Sequence, residues 1–135
     1  MHENPPPLYL IKELTMPTLH CVLIGICEYP NYAHNLYGCL NDVAAMNGFL
    51  RRYAESQDMA YRPYILRNEE AKRQAVIDAF SHFDQANNGD VCLFYYSGHG
   101  SFSEAPKEFW NNATGRNESI VCHDSRQPGG RDLMD

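Results

Sequence analysis

Two short, uninterrupted apolar runs, Cys21-Val22-Leu23-Ile24 and Val91-Cys92-Leu93-Phe94, stand on either side of two stretches with helical periodicity. The first run extends from Leu19 to Ile26 and is apolar on both faces, as in a parallel strand covered on both sides. From Cys39 the period changes: Leu40, Val43, Ala44, Asn47, Leu50 and Tyr53 fall near one helical face, with Asn41 or Asp42 placed to cap the start. Arg62 to Leu66 reads as a second strand. Asn68 then reads as a helix cap with Glu69 and Glu70 in the first turn, and the helix sends Ala75, Val76, Ala79, Phe80 and Phe83 to the core. Asn87-Asn88-Gly89-Asp90 is a turn, and Val91 to Tyr96 is the third strand. The order strand, helix, strand, helix, strand predicts an α/β domain: a mostly parallel sheet with helices on both faces. Beyond His99 the periodicity is lost. Ser101 to Asn117 reads as a polar loop, Ser119 to Cys122 as a short strand and Gln127-Pro128-Gly129-Gly130 as a turn. Residues 1–17, with Pro5-Pro6-Pro7, form a tail of which Leu8 to Leu14 can pack on the body, and residues 18–135 form one domain.

Composition narrows the function classes. A chain of 135 residues with 44% hydrophobic and 21% charged content is enough for a single core. Its apolar runs are too short to span a bilayer, and the start of the chain lacks the basic and apolar regions of a signal peptide, so a cytoplasmic location is expected. The net charge of −6, without a basic stripe, argues against a nucleic-acid partner. Arg51-Arg52 and Lys72-Arg73 are read as solvated helix faces. The five cysteines, odd in number and partly inside predicted strands, suggest free thiols, and none has the spacing of a zinc site. Asn112 and Asn117 fit the glycosylation acceptor pattern, which is common by chance.

Candidate chemistry gathers after the third strand. In Tyr95-Tyr96-Ser97-Gly98-His99-Gly100, two glycines flank one imidazole. They remove side-chain bulk and permit unusual backbone geometry, where an α/β enzyme would hold a general base. The other histidines, His2, His20, His34, His82 and His123, lack such a context and read as structural or surface positions. Asp42, in Gly38-Cys39-Leu40-Asn41-Asp42, either caps its helix or presents a carboxylate to the cleft of His99. Cys122-His123-Asp124 suggests a nucleophile-base-acid set, but adjacent strand residues point to opposite faces and a buried thiol is inert. Asp124 is better read as shaping the loop or the cleft edge. No GxGxxG or GxxxxGK[ST] pattern follows the first strand, which argues against a nucleotide site.

Four blocks in order carry a family resemblance: Leu23-Ile24-Gly25-Ile26, Leu36-Tyr37-Gly38-Cys39-Leu40-Asn41-Asp42, Phe94-Tyr95-Tyr96-Ser97-Gly98-His99-Gly100 and Glu118-Ser119-Ile120-Val121-Cys122-His123-Asp124-Ser125. Together they resemble the N-terminal portion of the caspase-like cysteine peptidases, in the metacaspase and bacterial caspase-like branch. The resemblance implies a three-layer, flavodoxin-like sheet and a Cys-His dyad with His99 as base and the Gly100 N–H in the oxyanion hole. It implies a primary specificity pocket lined by Cys39, Asp42 and Ser97, with cleavage after Arg or Lys because of Asp42. True caspases place an arginine before the glycine of this loop to bind substrate Asp. Here Leu36 and Tyr37 precede Gly38, which speaks against that specificity.

A larger departure concerns the nucleophile. In caspases the base precedes the catalytic Cys by roughly 50 residues, a distance that passes Asp135. Cys122 follows His99 by 23 positions and belongs to a different block. Arg131 to Asp135 resembles the start of the helix before the nucleophile's strand. The nucleophile is therefore expected from a second polypeptide, a processed fragment or a continuation, and this chain alone is expected to be inactive. No cofactor is required by such chemistry. Calcium is the one metal the resemblance suggests, with Asp124, Asp132 and Asp135 as candidates. The substrate would be a protein or peptide. Two other readings remain open at this point: a non-catalytic caspase-like module binding a partner through its sheet edge, and a flavodoxin-like ligand-binding domain.

Overall fold

The structure, a computed structural model, describes residues 3–7, 16–104 and 115–134. Its centre is β1 (Thr18–Gly25), buried at every position after Thr18. Two-sided burial follows from its neighbours. β1 pairs in parallel with β2 (Ala60–Arg67) on one side and β3 (Val91–Ser97) on the other, in the order β2-β1-β3. Alternate residues then serve opposite layers. Leu19, Cys21 and Leu23 pack with Val43, Leu50 and Ala54 of α1 (Cys39–Ser56). Val22 and Ile24 pack with Leu66, Ala71 and with Val76 and Ala79 of α2 (Arg73–Ala79). Each fully buried Leu or Ile contributes about 1.5–3 kcal/mol relative to exposure. The result is the expected α/β sheet with a helix on each face.

The details differ from the sequence reading in instructive ways. Gly38, at φ +94°, occupies the N-cap of α1 and offers no side chain, so Asn41 and Asp42 lie in the first turn rather than at the cap. The buried stripe of α1 is Cys39, Val43, Leu50 and Ala54, while Ala44 and Tyr53 are exposed. Pro63 sits in β2, where an edge position tolerates its missing N–H.

Asn68 does not cap α2. It adopts φ +48° and opens a short 3-10 turn, Asn68–Glu70, that precedes the helix. The Glu70 carboxylate accepts from Arg67 N–H at 3.0 Å. The first N–H of α2, on Arg73, is instead capped from far along the chain by Asp124 Oδ1 at 2.8 Å. Phe80 leaves the helix at its C-terminus and, although half exposed, stacks on Phe94 with ring centroids 5.0 Å apart.

Beyond β3 the chain builds a second, antiparallel sheet in the order β4-β5-β6: β4 (Gly100–Glu104), β5 (Arg116–Ile120) and β6 (Leu133–Met134). The expected polar loop is thus a strand at both of its ends, with residues 105–114 outside those described. The strand expected to run through Cys122 ends at Ile120. Leu133 and Met134 pair with β5, so the C-terminal segment is strand and not the start of a helix. Residues 3–7 are exposed and lack regular structure, and the Leu8–Leu14 segment lies outside the described residues.

Candidate active site

β1 and β3 end side by side, with Gly25 opposite Ser97, and the loops that follow them meet there. The loop after β1 is tied down along its length. Ile26 N–H donates to Ser97 O at 3.0 Å, and Cys27 and Glu28 N–H both donate to Asn68 Oδ1 at 3.0 and 3.1 Å. Tyr29 N–H donates to Asn35 Oδ1 at 2.8 Å. Tyr29 is thereby a fixed, buried platform for what comes off β3.

His99 comes off β3 two residues after its last strand position. Its ring is half-buried against Tyr29, centroid to centroid 5.0 Å, with the His34 ring edge-on at 6.5 Å. Nε2 lies 2.7 Å from the carbonyl oxygen of His34. A carbonyl only accepts, so Nε2 carries a proton and, in the neutral ring, Nδ1 keeps the lone pair. Nδ1 makes no hydrogen bond among the described residues. His34, read from sequence as a structural or surface position, is exposed, yet its main chain orients the imidazole.

Of the two jobs expected of the glycines, removing bulk and permitting unusual backbone geometry, Gly98 does the first and neither does the second. Neither Gly98 nor Gly100 has positive φ. Gly98 is needed for space, because the hydroxyls of Tyr96 and Tyr29 come in against it. Gly100 is open: the nearest atom to an added Cβ would be Ser119 O at 3.7 Å. Val121 N–H donates to His99 O at 3.0 Å, making this a hydrogen-bonded pair. The alternation of an antiparallel ladder then turns the Gly100 N–H away from β5.

Cys39, Asp42 and Ser97 come together beside this loop. Ser97 Oγ donates to Asp42 Oδ2 at 3.0 Å. Cys39 is buried, and burial raises the pKa of its thiol. Asp42 itself is exposed, so its charge is hydrated and not held in a low-dielectric pocket. A groove of about 280 Å³ lined by Cys27, Glu28, Leu36, Tyr37 and Asn41 opens nearby.

Cys122 is fully buried, and burial pushes its thiol up to about 11, which keeps it protonated at neutral pH. Its backbone N–H is held by Ser125 Oγ at 2.8 Å. Of the calcium candidates, Asp135 lies outside the described residues. Asp124 caps α2, and both Asp132 carboxylate oxygens accept from Arg126, at 2.7 and 3.0 Å. Asp124 and Asp132 therefore do not fit a calcium site. The five cysteines are all free thiols.

Three partners of His99 had no distinct signal in the sequence. Tyr96 has the pattern of a core strand aromatic, Tyr29 lies in a loop rich in turn formers, and His34 acts through its backbone.

Comparison with known proteins agrees with this architecture. Residues 18–133 match the family model of the caspase domain, peptidase C14. Metacaspase-4 of Arabidopsis thaliana is 34% identical over 131 residues, covering 87% of this chain and 29% of that protein. Metacaspase-9 of the same plant is 37% identical over 91 residues, covering 59% and 26% respectively. The chain thus spans between a quarter and a third of these relatives' lengths. The crystal structure of protein GSU0716 from Geobacter sulfurreducens superposes with a TM-score of 0.61 over 88% of this chain and 42% of that one, at 22% identity, a likeness of fold. On the match across 18–133, the chain belongs to the caspase-domain family of cysteine peptidases.

Proposed function

We propose that this chain supplies the histidine half of a Cys-His endopeptidase that cleaves proteins after Arg or Lys, with the nucleophilic Cys coming from outside residues 1–135. The carrying observation is the His99 Nε2 to His34 carbonyl bond of 2.7 Å, which leaves Nδ1 as the basic atom. A thiol facing Nδ1 gives up its proton to it, and the thiolate attacks the scissile carbonyl. The imidazolium then returns the proton to the leaving amine, and a second cycle activates water against the acyl-enzyme. Throughout, the His34 carbonyl stabilises the charged ring as a charge-assisted acceptor. The Gly100 N–H, turned away from β5, is the donor proposed for the oxyanion. Asp42, fixed by Ser97 and beside Cys39, is the proposed counter-charge for a basic substrate side chain.

The source of the nucleophile is supported by Cys122 being buried and protonated, and by β3 pairing only with β1 among the described residues. That outer edge of β3, with Val91 47% exposed and Cys92 exposed, is where a further strand would add. The same edge would serve a non-catalytic module that binds a partner. No helix among the described residues is long and apolar enough to cross a membrane. A cytoplasmic location is proposed on the free thiols.

The test is hydrolysis of Arg- and Lys-containing peptides by the protein together with the polypeptide that carries its nucleophile. Loss of cleavage on His99→Ala is expected. Cleavage that survives it would remove the dyad, and biological activity that survives without any cleavage would establish the binding module.

A further inference from the structure

We propose that Tyr29 and Tyr96 are positioning residues that set His99 through its own backbone. The hydrogen bonds form a closed circuit. His99 N–H donates to Tyr29 Oη at 2.9 Å, Tyr29 Oη stands 3.4 Å from Tyr96 Oη, and Tyr96 O–H donates to His99 O at 2.6 Å. With Tyr29 accepting from the amide, its own proton points to Tyr96, whose proton returns to the carbonyl of the residue where the circuit began. The same Tyr96 proton is shared with Val121 O at 2.8 Å, and Val121 N–H joins on the His99 carbonyl at 3.0 Å.

Both sides of one residue's backbone are thus held by two phenols, and this fixes φ and ψ of His99. With the backbone fixed and the Tyr29 ring packed at 5.0 Å on the imidazole, the side chain is left in an orientation that meets the His34 carbonyl. Both phenols are proper donors at any working pH, because burial raises each above the ordinary range. Tyr29 can act as an anchor because its own loop is fastened through Asn68 and Asn35. A displacement of about 1 Å in a catalytic group can cost on the order of a hundredfold in rate. Fixing the residue that carries the base is therefore a kinetic matter as well as a matter of stability.

The effect on rate rests on the peptidase reading above; the effect on ring orientation does not. Tyr29→Phe keeps the ring and removes the hydroxyl that accepts from His99 N–H and donates to Tyr96. In the assembled protein, kcat for an Arg peptide is expected to fall about tenfold with KM within about twofold. The His99 ring nitrogen resonances are expected to shift. In the unsubstituted protein the His99 amide is expected to exchange slowly with solvent. Unchanged ring resonances and unchanged kcat alongside a lowered melting temperature would overturn the proposal, since the tyrosine would then be structural only. Fast exchange of the His99 amide would overturn it even if the variant does not fold. Shifted ring resonances, where the unsubstituted protein assembled with its nucleophile hydrolyses nothing, would sustain the clamp and remove the peptidase reading.

Discussion

The hydroxyl of Tyr96 fills the space that a side chain at Gly98 would need. A Cβ built on Gly98 would stand 2.5 Å from Tyr96 Oη and 2.9 Å from Tyr29 Oη, whereas one on Gly100 would find nothing closer than Ser119 O at 3.7 Å. The two glycines around His99 therefore differ in kind. Gly98 makes room for the phenols, and Gly100 lies open at the start of β4.

Gly98→Ala forces both hydroxyls away, and overpacking of this sort costs about 1–3 kcal/mol. Gly100→Ala is expected to change stability by less than about 1 kcal/mol, since the contact it makes is ordinary and only the entropy of a strand residue changes. Urea unfolding of the two variants measures this directly. Equal losses at the two positions would show that the loop relaxes around Gly98.

Asn68 gives a second separable case. It holds φ +48° and accepts from two successive amides, Cys27 and Glu28. Asn68→Gly keeps the backbone conformation and loses the acceptor, so it isolates the hydrogen bonds at about 1–3 kcal/mol for the amides left unpaired. Asn68→Ala loses the acceptor and adds left-handed strain, and should be the less stable of the two by roughly 1 kcal/mol. Asn68→Asp keeps the acceptor oxygen and should lie closest to the natural protein. Thermal melts of the three, ranked Asp, Gly, Ala, carry the prediction.

How much of this was legible in the sequence depended on how the free energy of each element is written into residue types. β1 and β3 stood out because apolar residues concentrate there, and α1 because its buried positions recur at helical spacing. The hairpin of β4 and β5 did not, because Gly100–Glu104 and Arg116–Ile120 bury little and so carry no apolar alternation. Asn68 followed by two glutamates imitates a helix start, and only the positive φ and the distant cap from Asp124 show otherwise. His99 was found from its glycines, for a reason that applies to Gly98 as space and not as conformation. What orients His99 was out of reach. A backbone carbonyl leaves no mark on residue identity, and a tyrosine near the end of an apolar strand looks the same whether it packs or clamps.

The Ser97 to Asp42 bond of 3.0 Å sets the next expectation. If Asp42 is the counter-charge for a basic substrate side chain, Asp42→Asn should lower kcat/KM for Arg peptides by about tenfold to a hundredfold, since a hydrogen-bonded charge contributes on the order of 1.5–3 kcal/mol. Peptides with a neutral residue at the same position should be nearly unaffected. Ser97→Ala leaves the charge and removes only its tether, so its loss should be several-fold at most. A uniform fall across basic and neutral peptides would mean that Asp42 supports the fold and not the selection.

At the opposite end of the sheet, Asp90 fastens the start of β1 to the turn before β3. Its carboxylate accepts from Thr18 N–H at 2.8 Å, from Asn87 N–H at 2.9 Å and pairs with His20 Nε2 at 2.9 Å. These bonds, the Asn87 amide foremost, lower its pKa from 3.8 to about 2. A depressed pKa in the folded state means that the unfolded chain binds the proton first as the solution is acidified. The stability that Asp90 contributes is thus complete above about pH 4, falls away between about 4 and 2, and is absent below. Many carboxylates titrate in the same range, so the comparison must be with Asp90→Asn, which keeps one oxygen acceptor and cannot ionise. The variant should be less stable at pH 6, and its urea midpoint should fall less steeply than that of the natural protein between pH 4 and 2, with the two converging at the acid end. Parallel curves over that interval would show that the three bonds do not depend on the charge of Asp90, and that β1 is anchored there by geometry alone.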